Sequence, residues 1–150
     1  MNVLLILSQE RAKKEATDYC LKLLGRDSGK LWVVYIIDSE FAGRIETQLA
    51  DSFVAEKPGQ DMAEALDREY RQRAARQLQV IETQCQALGV SVVSSIKEGT
   101  YLEVIKKAAG ELAPDLVVIS ETRKGLVDYI FGRRDQKDLS GLIAVPIKAF

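Results

Sequence analysis

The chain alternates short, continuous apolar runs with segments in which apolar residues recur every three or four positions. The runs cover residues 3–7, 31–37 and 116–119, and a fourth segment, residues 90–96, alternates apolar and polar side chains. Continuous valine, isoleucine and leucine runs are typical of strands that are covered on both faces. No other feature restricts the fold as much, because strands and helices in strict succession predict a parallel sheet with right-handed crossovers.

Three helices are predicted between these strands. Their apolar stripes lie within residues 10–24, 66–88 and 102–112, and a glycine follows each of the first two. The third helix ends before Pro114, because the residue that precedes a proline disfavours helical backbone. A fourth helix and a short last strand near residues 144–150 complete the order. We therefore predict an α/β sandwich with a five-stranded sheet and helices on both of its faces.

Length and composition indicate one ordinary globular domain that spans residues 1–150. Basic and acidic side chains number 21 and 22, so the net charge of −1 gives no support to nucleic acid or an acidic membrane as a partner. The apolar run at residues 3–7 is too short for a signal peptide and far below the roughly 20 residues of a membrane span. We expect a cytoplasmic protein without membrane insertion.

The four arginines of the second predicted helix could be read as a nucleic-acid surface. They lie mostly off the apolar stripe, and acidic residues stand beside them in sequence. We interpret them as a solvated face paired with Asp67 and Glu69. The arginines concerned are Arg68, Arg71, Arg73 and Arg76.

The sequence contains no histidine. It therefore lacks the commonest general base, the commonest zinc ligand and any nucleophile triad built on imidazole. The two cysteines lack the CxxC spacing of a redox or zinc site, so we expect buried free thiols, with a disulfide left open. No catalytic or metal-binding residue is predicted.

Three stretches carry a resemblance to a known family. They are VLLILSQERAKKEATDYCLKLL, LWVVYIID and IKEGTYLEVIKKAAGELAPDLVVIS, and their order and spacing together are fairly specific. The chain resembles the universal stress protein family over nearly its whole length. The resemblance implies a single domain of the adenine nucleotide alpha hydrolase superfamily, with a five-stranded, mainly parallel sheet. It also implies a cytoplasmic, usually dimeric, stress-linked protein.

Many members of that family bind ATP or AMP through an aspartate after the first strand and a loop G-x2-G-x9-G-[ST] after the fourth. In such loops glycines let the backbone approach the phosphates, and amides at a helix N-terminus receive the negative charge. This chain has Ser8 at the aspartate position. The three glycine positions fall on Ser120, Arg123 and, with one residue deleted, Gly132, and Arg133 replaces the following hydroxyl. One motif glycine of three is present.

Two outcomes follow for this loop. Side chains at Ser120 and Arg123 block the close approach that a phosphate needs, and the loop is a structural relic. Alternatively, the basic residues of the loop bind phosphate in place of backbone amides, since guanidinium groups make bidentate phosphate contacts. In either case Ile36 occupies the second-strand position whose backbone would meet an adenine. The basic residues concerned are Arg123, Lys124, Arg133 and Arg134.

The resemblance also bears on assembly, because the family's final strand pairs with its mate across a two-fold axis. Here Pro146 removes an amide and Lys148 adds a charge to that strand, and both are expected to weaken the pairing. A homodimer remains the expected state.

The function expected from these features is that of a non-enzymatic stress-response protein. It acts as a dimer through an unidentified protein partner, has lost or altered ATP binding and needs no cofactor. The alternative is a member that binds ATP or AMP through a modified phosphate loop, with weak ATP hydrolysis.

Overall fold

A computed structural model describes residues 1–8, 13–26, 28–38, 60–120 and 145–150. The predicted fourth helix and most of the predicted phosphate loop lie outside these residues. The statements below concern the described part of the chain.

Five strands form one parallel sheet, as the succession of apolar runs predicts. The sheet order is β3-β2-β1-β4-β5, so the chain moves outward from β1 to β3 and then crosses to the other side of β1. The weakly alternating segment at residues 90–96 is a full edge strand. The strands are β1 Asn2–Ser8, β2 Lys30–Asp38, β3 Ser91–Gly99, β4 Leu116–Ile119 and β5 Ile147–Ala149.

Three described helices connect the strands: α1 Lys14–Leu24, α2 Gln60–Leu88 and α3 Tyr101–Leu112. Helix α1 begins four residues later than predicted, because Lys13 has an extended backbone with ψ 125°. Helix α2 ends before Gly89, whose φ of +70° is readily adopted only by glycine.

The sheet is covered on both faces, which explains why the central strands are apolar without interruption. Val3, Leu5 and Leu7 of β1 pack towards α1 and α2, whereas Leu4 and Ile6 pack towards α3. Successive side chains of a strand point to opposite faces, so a strand buried on both must be apolar at every position.

The arginine face of α2 is solvent-exposed and ion-paired, as predicted. Arg71 lies 3.0 Å from Asp67, and Arg73 lies 3.1 Å from Glu69, each one helical turn apart. Arg71 also pairs with Glu98 at the end of β3, which joins α2 to the edge of the sheet. Within the described ranges, no helix has the length and apolar character needed to cross a membrane.

Candidate functional site

The carboxyl edge of the sheet contains the point where the strand order reverses. Strands β1 and β4 are neighbours there, but their connections leave in opposite directions. In open α/β sheets, ligands bind in the crevice that such a reversal leaves outside the strand ends. The residues to consider are therefore those that end β1, β2 and β4.

Ser8 and Ile36 are brought together at this edge. Ser8 ends β1 and is half-buried, and it stands beside Ile36 in the register of β1 and β2. The side chain of Ile36 is fully buried in the core beneath α3. The side chain of Ile36 is therefore not available to a ligand, and a contact of its backbone with an adenine stays a prediction.

Ser120 follows β4 directly and is the most constrained residue of this edge. It is 2% exposed, and its N–H donates to the carbonyl of Ile6 at 3.0 Å, which continues the ladder between β4 and β1. Its hydroxyl oxygen accepts a hydrogen bond from the N–H of Lys13 at 2.6 Å. The same hydroxyl lies 3.4 Å from the Lys13 carbonyl.

The contact between Ser120 and Lys13 joins the end of β4 to the start of α1 at this edge of the sheet. Lys13 is the residue from which α1 starts, and its backbone N–H belongs to the group of amides that a bound anion uses at a helix N-terminus. Here the hydroxyl of Ser120 accepts the hydrogen bond from that N–H. A glycine at position 120 has no side chain with which to make this contact.

The remaining predicted site residues cannot be placed in this geometry. Arg123, Gly132 and Arg133 lie outside the described residues, so their role stays a prediction. The structure brings together Ser8, Ile36 and Ser120 at one edge of the sheet.

A second turn at the same edge joins β3 to α3. Gly99 has φ +146°, and a side chain there would approach a methyl carbon of Val104 to 3.1 Å. Glu98 pairs with Arg71 instead of forming a carboxylate pair with Glu103. The turn is therefore explained by local packing and an ion pair.

The titratable groups with raised pKa values lie within the hydrophobic core or on the surface of α2. Burial raises the pKa of Cys20 to about 12 and that of Tyr35 to about 12, and burial also raises the pKa of Cys85. Both cysteines are free. The hydrogen bond that Arg71 donates to Asp67, followed by the charges of Glu98 and Asp67, raises the pKa of the exposed Arg71. Among the described residues, no cluster of acidic or cysteine side chains is arranged to hold a metal ion.

Comparisons with known proteins give a consistent family. The family model described as "Universal stress protein family" matches residues 1–137. No curated protein matches the chain in a sequence search.

Solved structures share the fold at low sequence identity. A universal stress protein family member from Burkholderia pseudomallei has a TM-score of 0.66 at 19% identity, with 99% of this chain and 94% of that one covered. A universal stress protein from Lactobacillus plantarum has a TM-score of 0.62 at 12% identity, with 100% and 97% covered. A family member from Arabidopsis thaliana, solved with AMP bound, has a TM-score of 0.58 at 12% identity, with 99% and 90% covered. With the family model matching most of its length, the chain belongs to the universal stress protein family.

Proposed function

We propose that this chain is a non-enzymatic, cytoplasmic stress-response protein that acts as a dimer through protein partners and has lost or altered ATP binding. The proposal combines the family assignment with the departures of this sequence from the family's nucleotide motif. Among the described residues, the buried groups with raised pKa values, Cys20, Tyr35 and Cys85, lie in the hydrophobic core.

The observation that carries the proposal is the buried hydroxyl of Ser120. It occupies the first glycine position of the motif and binds the backbone N–H of Lys13 at 2.6 Å. A nucleotide phosphate bound at this crevice would have to displace that contact and leave the hydroxyl with a new partner. Losing a satisfied buried hydrogen bond has a cost, which opposes nucleotide binding.

The alternative is an adenine-nucleotide-binding protein with a modified phosphate loop and weak ATP hydrolysis. It is favoured by the AMP bound to the family member from Arabidopsis thaliana, which shares this fold. In this alternative the backbone of Ile36 meets the adenine, and Arg123 and Arg133 bind the phosphates in place of backbone amides.

A thermal unfolding experiment separates the two functions. With magnesium-ATP or AMP at about 1 mM, we expect no change in the melting temperature, because a ligand stabilises a protein only when it binds the folded state. A rise in the melting temperature supports the alternative. If Arg133→Ala abolishes that rise and the surface variant Arg76→Ala retains it, the loop arginines hold the phosphates.

The dimer part of the proposal draws on the outer edge of β5. The N–H of Val117 donates to the carbonyl of Pro146, and the N–H of Phe150 donates to the carbonyl of Ile119. Alternate residues of a strand face the same neighbour, so Pro146 faces β4, and Ile147 and Ala149 face outward. The amide that Pro146 lacks is thus an inward one, and the expectation that it weakens the outer edge is wrong.

Lys148 also leaves the outer edge open. Its ammonium nitrogen lies 4.1 Å from the centre of the Tyr19 ring and 5.4 Å from that of Phe150. The two rings contact each other at 5.3 Å between centroids. The charge is therefore directed over the α1 face of the sheet, where cation–π contacts stabilise it. Pairing of β5 with a second copy is compatible with both residues.

A further inference from the structure

The opposite edge of the sheet is formed by β3. This strand pairs with β2 over nine consecutive positions, from Ser91 beside Lys30 to Gly99 beside Asp38, without a bulge. The described residues place no strand on its other side. We call the outer side of β3 the β3 edge.

The hydrogen-bond register identifies the backbone groups that face outward. The N–H of Lys30 donates to the carbonyl of Met1, so Leu31 and its alternates along β2 face β3. In a parallel pair, the residue beside Val92 bonds to the residues on either side of Val92. The inward residues of β3 are therefore Ser91, Val93, Ser95 and Lys97, and the outward residues are Val92, Ser94, Ile96 and Glu98.

The β3 edge lacks most features by which proteins prevent unwanted strand pairing. Exposed edges are usually protected by proline, bulges, inward-pointing charges or very short strands. The segment from Ser91 to Ile96 has no charge and no proline, and the first charged residues are Lys97 and Glu98 at its end. Within these six uncharged residues, the outward backbone groups of Val92, Ser94 and Ile96 have no strand beside them in the described part of the chain.

Side chains flank this edge differently on the two faces of the sheet. On the α3 face, Val93 is 42% exposed and stands beside the half-buried Trp32, over whose ring the Lys30 ammonium lies at 4.1 Å. On the α2 face, Glu98 is held by Arg71, and the Ser94 hydroxyl donates to Glu82. On the α2 face, Ser94 and Glu98 are thus paired within the chain. On the α3 face, the apolar side chain of Val93 is exposed to solvent.

We propose that the β3 edge binds an extended peptide segment of a partner protein, which adds a sixth strand to the sheet. The segment places an apolar residue beside Val93 and an acidic residue beside Lys97. Main-chain hydrogen bonds to the outward residues supply affinity, and alternate side chains supply specificity. This rests on the proposed function, because it names the surface through which the protein acts on its partners.

A second copy of this chain is the other conceivable occupant, and symmetry disfavours it. When β5 pairs with its mate across a two-fold axis, pairing of β3 with another β3 links dimers into an open, unending sheet. A closed dimer therefore leaves the β3 edge for a different chain. Lys97 selects an acidic residue opposite it, since opposite charges on neighbouring strands attract.

Amide hydrogen exchange of the nucleotide-free, full-length protein tests the proposal. In the free protein, the outward amides of β3 should exchange faster than the inward amides of Val93, Ser95 and Lys97. The probes are two synthetic threonine–valine repeats, each at about 1 mM. One ends with glutamate and the other begins with it, so that the glutamate can lie beside Lys97 in a parallel or an antiparallel strand. At least one of the two probes should slow the exchange of the outward amides about tenfold. A repeat with proline at alternate positions should not slow it.

Two matched substitutions locate the binding surface. Val93→Lys places a charge beside the edge and should weaken probe binding about fivefold, the size of a cross-strand pair. Val80→Lys is the control, because Val80 is a 58% exposed valine that belongs to α2 and not to β3. The natural protein should prefer glutamate to lysine at the charged end of the probe. Lys97→Glu should reverse this preference, so that the lysine version of the bound repeat binds better than its glutamate version.

Each result either supports the proposal or overturns it. Uniform protection of all β3 amides in the free protein, or no slowing by either probe, overturns it. Protection of the outward amides that grows with protein concentration alone assigns the edge to a second copy and also overturns it. A rise in the melting temperature with ATP refutes the proposed function, but it does not change the exchange rates of the β3 amides in the nucleotide-free protein. A failure of the proposed function is therefore distinguishable from a failure of the peptide-binding proposal.

Discussion

Ser120 follows β4 directly, and its side chain is almost fully buried. Its alignment with a glycine of the family's nucleotide motif stays a prediction from the sequence. Its contact with Lys13 joins residues that are 107 positions apart in the chain. The hydroxyl therefore joins the end of β4 to the start of α1. In our proposal this contact opposes nucleotide binding, because it uses a backbone donor that a bound anion would otherwise use.

Replacing Ser120 by alanine should lower the free energy of unfolding by about 1 kcal/mol, because the Lys13 N–H loses its partner. Urea unfolding measures this as a lower midpoint at an unchanged slope. Ser91→Ala is the matched control, since Ser91 is exposed at the start of β3 and should change stability by less than about 0.5 kcal/mol. Equal midpoints for the two variants would contradict a stabilising role for the Ser120 hydroxyl.

Helices α1 and α2 cover the same face of the sheet, and each contributes a cysteine to the core between them. Cys20 of α1 and Cys85 of α2 are fully buried and belong to one apolar cluster with β1 and β2. Burial, and after it the neighbouring Cys85, raises the pKa of Cys20 from 9.0 to about 12. The folded protein thus favours the neutral thiol, and the contribution of Cys20 to stability is fully present below pH 9.

We expect stability to fall as the pH rises from about 9 towards 12, by up to about 1.4 kcal/mol per pH unit from Cys20. The sign follows from linkage, because the unfolded chain loses the thiol proton at a lower pH than the folded protein does. Comparison of denaturant midpoints for the natural protein and Cys20→Ala isolates this effect, since all other ionisations are shared. The variant should show a shallower decline, and parallel curves would show that the thiol titrates alike in both states.

For the whole molecule, we propose a different binding partner for each of the two edges of the sheet. Strand β5 is short and directs only Ile147 and Ala149 outward, whereas β3 is long and uncharged over most of its length. We assign the β5 edge to a second copy of the chain and the β3 edge to a partner peptide. One edge must be closed by symmetry for the other to remain available to a different protein.

The dimer assignment predicts the effect of a proline at the outer edge. Ile147→Pro removes an outward N–H without removing a hydrogen bond to β4, so it should convert the dimer into a monomer while the fold is retained. Light scattering at about 10 µM measures the mass, and circular dichroism checks the fold. Ile147→Val keeps the backbone donor and should remain a dimer. A proline variant that is still dimeric would place the interface on another surface.

Local pattern was sufficient for the five strands, for the three described helices and for their order. Residues 3–7 and 31–37 are apolar at every position because they are covered on both faces, and that property is visible without any tertiary contact. The helical stripes of α2 and α3 are predictable for the same reason, since a period near 3.6 residues is a local property. The start of α1 was missed by four residues, because the extended backbone of Lys13 accompanies a bond to a distant serine.

Position in the folded sheet decided what individual residues do. Nothing in the sequence shows that the Ser120 hydroxyl reaches Lys13, because that contact exists only once β4 has paired with β1. Likewise, the sequence alone suggests that Pro146 removes a donor from the outer edge of the last strand. The hydrogen bonds between β4 and β5 show that the missing amide faces β4 instead. Periodicity encodes which face a side chain takes, whereas hydrogen-bond direction and contacts between distant loops arise from strand order and register, which no short window of sequence contains.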